Sequence, residues 1–173
     1  QWYRINGGNI APTLFSSSTE QNFDSAAVLQ SAIQYAFQTY PANRYGMVLW
    51  DHGGSWEGGF GKDNQDGTVA FPTAMSAANA AGSVQSALMA LGIGGPRPLE
   101  FIAFDTCLMA APEAIQPFND LAKTYIGCAE IDFGNGWDYN ATLSYISANS
   151  TASATAIVTQ EVGFWNAHHS TAS

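Results

Sequence analysis

Apolar residues along this chain alternate between two patterns. Leu29, Ile33, Ala36, Phe37 and Tyr40 recur at helical spacing, which predicts an amphipathic helix over roughly 25–39, with Asp24 as N-cap and Pro41 as its stop. Met47, Val48, Leu49 and Trp50 then form a short continuous apolar run, the mark of a strand buried on both faces. Ala81, Val84, Leu88 and Leu91 mark a second helix, broken at the glycines and proline of 92–96. Leu99 to Phe104 predicts a second buried strand and Thr124 to Ala129 a third, with a Gly134–Trp137 turn beyond it. The stretch between these two strands is predicted helical from just after Cys107, with Pro112 in a first turn and Pro117 as a kink or stop. A last helix is expected over about 153–167. Residues 53–72, rich in Gly, Asp and Asn, read as a long surface loop.

Helices alternating with buried strands imply an α/β fold with parallel strands and helical crossovers. In such sheets reactive groups collect just past the carboxyl ends of the strands. Two apolar runs of this chain end in that way. Met47–Trp50 leads into Asp51, His52, Gly53 and Gly54, and Leu99–Phe104 leads into Asp105, Thr106 and Cys107. A thiol and an imidazole at neighbouring strand ends are the minimum equipment for covalent acyl transfer. Cys107, placed between a strand and a following helix, would gain from the helix amides and dipole as an anion. The amides of Gly53 and Cys107 are candidate oxyanion donors, since glycine lets a substrate carbonyl come close. The alternatives are a buried structural cysteine, a satisfied polar histidine and a plain turn at Gly53 and Gly54.

Asp105 lies two residues before Cys107, on the same side of an extended strand. It either lines a pocket selective for a basic side chain, or caps a helix or orients a backbone amide. Glu130 and Asp132 follow the third strand at the same sheet edge and are further candidates to neutralise a cationic substrate. Composition excludes some functions. The net charge is −9, with five basic residues against 14 acidic ones, so there is no footprint for nucleic acid. No apolar stretch approaches the roughly 20 residues that cross a bilayer, so no membrane partner is expected. An acidic surface fits a soluble secreted protein. Cys107 and Cys128 read as strand-end thiols more than as a disulfide.

A histidine and a cysteine about 55 residues apart, each closing an apolar strand, follow the caspase-like order. Three segments carry a closer resemblance: Tyr45 to Trp56 with its His-Gly-Gly, Phe104 to Ala110 with its Asp-x-Cys-Leu-Met, and Gly136 to Tyr139. In these the chain resembles the clostripain family of cysteine peptidases. That resemblance implies a caspase-like, mostly parallel sheet flanked by helices, and a dyad of Cys107 and His52. Asp105 matches the acidic residue of the S1 pocket, and cleavage after Arg or Lys is implied. Family members carry an earlier strand and helix, so residues 1–173 are expected to form one peptidase domain lacking its first strand or strands. A second chain or segment would complete the sheet.

Self-cleavage between histidine and cysteine, as in similar peptidases, points to Lys62 as a processing site. Calcium dependence in some relatives draws attention to Asp63 and Asp66 as weak calcium candidates, although the EF-hand pattern is not met. No other cofactor is expected. The contrasting reading is a catalytically silent binding or structural module on the same scaffold.

Overall fold

The computed structural model describes residues 5–6, 9–10, 21–62 and 74–170. A small antiparallel hairpin pairs β1 (Ile5–Asn6) with β2 (Asn9–Ile10). The main sheet has three parallel strands in sequence order, β3 (Gly46–Trp50), β4 (Leu99–Asp105) and β5 (Ala122–Ile126). Helices α1 (Ala26–Thr39) and α3 (Ala77–Ala90) cover one face, and α5 (Tyr139–Ala148) and α6 (Ala154–Ser170) the other. Two single-turn helices, α2 (Ser55–Gly58) and α4 (Pro112–Ile115), lie in the connections after β3 and β4.

The order of burial follows from the layers. All seven residues of β4 are buried, because the strand has a neighbour on each side and helices on both faces. Ile102 and Phe104 point into the α1/α3 core, while Phe101 and Ala103 point to α5 and α6. Phe104 is 1 % exposed and meets Phe60 and Phe118 edge-on, each at 5.4 Å between ring centres. Burial of such a ring contributes about 1.5–3 kcal/mol. On α3, Ala77, Ala80, Ala81, Val84, Ala87 and Leu88 make a buried stripe of mostly small side chains that lets α1 pack closely. Ser76 caps this helix through Asn79 N–H, and Ser83 Oγ donates to Ala26 O at the start of α1.

Several expectations shift. Helix α1 starts one residue later than read, with Ser25 rather than Asp24 as N-cap. Strand β3 is not buried on both faces: Trp50 is 66 % exposed, because among the described residues β3 has a partner on one side only. Strand β5 ends at Ile126, and bends follow at residues 129–130. The expected helix directly after Cys107 is absent: turns occupy residues 107–110 and α4 starts only at Pro112, which takes its first turn as read. Pro117 falls in a 3-10 turn, Gln116–Phe118, that follows α4. Helix α5 was not anticipated. Asp138 caps it through Ala141 N–H, and Thr142 Oγ1 donates back to Asp138 O.

Glu100, 8 % exposed, holds two cations that tie the strands to the far loops. Arg44 approaches it at 2.9 Å and Lys123 at 2.5 Å, and Arg44 also donates to Ser150 O and Ala152 O. Hydrogen bonds from Arg44 and then Lys123 hold the Glu100 carboxyl below the usual range. Its contribution is therefore present above the ordinary glutamate pKa and is lost as pH falls through the lowered folded value. Asp105 and Glu161, whose carboxyls are raised, act in the opposite sense, so the difference between variant and wild type is the readout. Glu100→Gln is expected to cost about 1–2 kcal/mol at pH 7, tempered by the water-exposed cation heads, and the cost should shrink below about pH 4. Thermal unfolding of both proteins from pH 3 to 7 checks this.

Candidate active site

Pairing between β3 and β4 runs in register to its last couple, Trp50 with Asp105. His52 and Cys107 each lie two residues past that couple, so the imidazole-bearing and thiol-bearing loops leave the sheet side by side. The contact between them is close. A Cβ built on Gly53 would stand 2.1 Å from Cys107 O and 2.7 Å from Thr106 Oγ1. Only glycine lets the two main chains approach so nearly. Asp51 Oδ1 accepts from His52 N–H at 2.6 Å, and Gly61 N–H donates to His52 O. His52 itself is exposed.

Gly53 also pairs with Phe60 as an isolated antiparallel bridge. The bonds that make this bridge run from Gly54 N–H to Gly59 O and from Gly61 N–H to His52 O. Gly53 is thus a non-hydrogen-bonded position, and its N–H is not consumed by the bridge. Phe60, whose N–H donates to Met75 O, anchors this loop by its edge-on contact with Phe104.

On its other side the Cys107 loop is laced to the segment after β5. Leu108 N–H donates to Glu130 O at 2.9 Å and Ala110 N–H to Cys128 O at 3.0 Å. Asp132 N–H reaches Cys107 Sγ at 3.3 Å, and Tyr125 Oη donates to Met109 O at 2.7 Å. Leu108 takes the left-handed conformation at φ 61°, which costs a non-glycine residue about 1–2 kcal/mol. That strain sits beside the thiol, where surrounding contacts enforce it. The dipole of a following helix does not act on Cys107, since α4 begins five residues later and has four residues. Both cysteines are free thiols, and burial foremost pushes the Cys128 thiol up.

Asp105 ends β4 on the α5/α6 side and is 2 % exposed. Its Oδ2 accepts from Trp137 N–H at 3.1 Å and from Tyr139 Oη at 2.6 Å, while its Oδ1 has no partner. Burial raises its carboxyl, those two hydrogen bonds oppose the rise, and neighbouring Asp132 adds to it. Asp105 thus holds a backbone amide, as one of its two readings has it, and its other oxygen is buried. A Cβ on Gly136 would stand 2.7 Å from Oδ2, so the turn before Trp137 is fitted against this carboxylate. Asp132 Oδ1 accepts from Trp165 Nε1 and Phe133 N–H. Glu130 contributes its main chain to the Cys107 loop, and its side chain is exposed.

A cavity of about 240 Å³ opens beside this segment, lined by Cys128, Asp132, Trp137, Glu161 and Trp165 among others. It borders the thiol through Asp132 and does not contain His52 or Cys107 themselves. Glu161 is a residue that the sequence reading passed over. The signal was there: Ala154, Ile157 and Glu161 fall on one helical stripe, so a glutamate stood where α6 buries its apolar face. Lys62 is half-buried, next to Gly61. Asp63 and Asp66 lie outside the described residues. Among the described residues no group of three or more His, Cys, Asp or Glu side chains is arranged to hold a metal.

A parallel sheet between helical layers, with a thiol loop and an imidazole loop packed at one strand-end edge, defines a caspase-like α/β domain. The chain belongs to the clostripain family, whose family model matches residues 1–171. Among solved structures, it is similar to a secreted C11 cysteine protease from Bacteroides thetaiotaomicron in complex with an irreversible peptide inhibitor. The identity is 23 % and the TM-score 0.71, over 92 % of this chain and 42 % of that one. An inactive zymogen C11 protease from Parabacteroides distasonis is 22 % identical with a TM-score of 0.68, over 96 % of this chain and 43 % of that one. At such identities the likeness is one of fold. The chain spans less than half the length of these solved relatives. No curated protein matches it.

Gly53→Ala tests the close approach. With no room for a methyl against Cys107 O, it is expected to cost about 1–3 kcal/mol and to change the alkylation rate of Cys107. Gly82→Ala, exposed within α3 with nothing within 4 Å of its added Cβ, should instead raise stability by up to about 1 kcal/mol. Thermal melts of the two variants would disprove the packing argument if they moved together.

Proposed function

We propose that this chain carries the catalytic centre of a cysteine endopeptidase that cleaves after Arg or Lys. The observation that carries the proposal is the shared position of His52 and Cys107 past the Trp50–Asp105 couple, with Gly53 seated on the Cys107 carbonyl. Cys107 Sγ attacks the scissile carbonyl carbon, and the oxygen takes the charge. The N–H groups of Gly53 and Cys107 hold that oxyanion. His52 gives a proton to the leaving amine, the C–N bond breaks and a thioester forms. The imidazole then takes a proton from water, whose oxygen attacks the thioester and releases the new carboxyl end and the thiolate.

Asp105 is the P1 selector in this reading, supported by its unpartnered buried Oδ1. Asp132, at the cavity wall, adds negative charge, and so does Glu130, exposed two residues before it. Cleavage after Lys62 belongs to the same proposal, as self-processing. Support comes from its place beyond Gly61, whose N–H binds His52 O, and from the existence of a C11 zymogen among the solved relatives. The domain extends over residues 1–173, and a further segment or second chain adds strands at the outer edge of β3, where Trp50 is exposed. Secretion is proposed from the solved secreted relative. No described helix is long and apolar enough to cross a membrane.

In the full-length protein, an arginyl or lysyl chloromethyl ketone should label wild type at Cys107, and Cys107→Ala should not be labelled. Hydrolysis of a peptide amide with basic P1 should fall by more than about 10³-fold in Cys107→Ala and His52→Ala. Asp105→Asn should weaken labelling by the cationic reagent more than alkylation by iodoacetamide. A wild type that is neither labelled nor active is the binding module instead. Appearance of the Lys62 cut in Cys107→Ala without added enzyme would refute self-processing. Repeating the assay with a chelator tests calcium at Asp63 and Asp66.

A further inference from the structure

Among the described residues, the hydrogen bond that reaches Cys107 Sγ comes from the main chain of Asp132, whose N–H donates at 3.3 Å. The carbonyl of the same residue stands farther off, at 4.0 Å, where the neutral S–H would donate to it. An N–H aimed at sulfur favours the thiolate over the thiol. With α4 starting only at Pro112, this amide stands where many reactive cysteines have a helix N-terminus.

The segment that carries Asp132 belongs to no helix or strand. Its position is set from α6. Trp165 Nε1 donates to Asp132 Oδ1 at 3.1 Å, and Phe133 N–H shares that oxygen at 2.9 Å. Four residues along α6, His169 Nε2 donates to Gly136 O at 3.1 Å, and its ring stacks on Phe133 at 4.6 Å between centres. At that spacing Trp165 and His169 share one face of the helix, so both grip the same turn. Helix α6 is a firm anchor, since Ile157 and Glu161 are buried and Thr142 of α5 bonds Glu161.

We propose that Trp165 is a positioning residue for the nucleophile: by holding Asp132 Oδ1 it keeps the Asp132 N–H on Cys107 Sγ and so readies the thiol to ionise. The inference rests on the peptidase reading above and deepens it. Without the indole N–H, the carboxylate keeps only the donor of its own neighbour, Phe133, and nothing in that local bond ties residue 132 to the helix. The amide is then free to drift off the sulfur. A tryptophan kept for packing alone would be replaced without such loss by another flat ring, because phenylalanine retains a face for Phe133 and His169.

The experiment follows alkylation of Cys107 by iodoacetamide against pH in full-length wild type and Trp165→Phe. Mass spectrometry of the Cys107 peptide counts Cys128 apart. His52 after β3, then Cys128, Glu130 and Asp132 after β5, and His169 on α6 titrate in both proteins, so the difference between the two profiles is the readout. The midpoint in Trp165→Phe should move up by about 0.5–1 pH unit, making the reaction about 2- to 4-fold slower on the rising limb, with a plateau no lower than in wild type. The acid limb of kcat/KM on a basic-P1 peptide amide should move with it. A midpoint that stays or falls in folded Trp165→Phe overturns the proposal, whatever the plateau does. A raised midpoint in a protein that turns over no peptide upholds the hold of Trp165 on the thiol and sinks the peptidase reading alone. Should Trp165→Phe fail to fold, NMR of wild type decides. The Asp132 amide and Trp165 indole N–H signals should both shift with the midpoint of Cys107 alkylation, and an indole signal indifferent to that midpoint overturns the proposal.

Discussion

The last couple of the β3–β4 ladder, Trp50 beside Asp105, sets the position of every group at the site. A parallel ladder fixes which residues leave the sheet together, and here it releases the histidine loop and the cysteine loop in step. Gly53 then lies so close to Cys107 O that no side chain fits between them. Past β4 the same logic continues on the other flank, where the main chain of 108–110 bonds to that of 128–130. The thiol is thereby held between two clamped segments, one from each neighbouring strand. The left-handed Leu108 is the local cost of this arrangement.

Among the described residues, three buried acids divide the electrostatics into two kinds. Glu100, at the amino end of β4, is answered by Arg44 and Lys123 and works as a structural clasp. Asp105, at the other end of the same strand, is held by the neutral donors of Trp137 and Tyr139, and Glu161 on α6 by Thr142. One strand thus carries a satisfied carboxylate at its amino end and an unsatisfied one at the edge where substrates of α/β proteins bind.

Much of this was legible in the chain. The apolar runs of β3 and β4 marked their strands, and their abrupt endings in His52 and Cys107 marked the candidate site. The periodic stripes of α1, α3 and α6 were read within a few residues. Helix α5 escaped, because Tyr139 to Ala148 mixes Asn, Thr and Ser with apolar residues and its start depends on the Asp138 cap. A helix immediately after Cys107 was expected from sequence but replaced by turns, since the main chain there bonds sideways to the segment after β5. Glu161 escaped because its burial depends on how α6 packs against α5, where Thr142 meets it.

By itself the sequence determined the alternation of helix and strand, the acidic balance and the reactive residues at the strand ends. These follow from local periodicity and from side-chain chemistry, both of which act over a few residues. Only the tertiary structure decided that β3 has one partner among the described residues, that the Gly53 amide escapes its bridge, and that Asp105 and Glu161 are buried. Each depends on which segments distant in the chain are pressed together and which hydrogen bonds they take from one another. Burial and partnership are properties of that packing, and no single residue carries them.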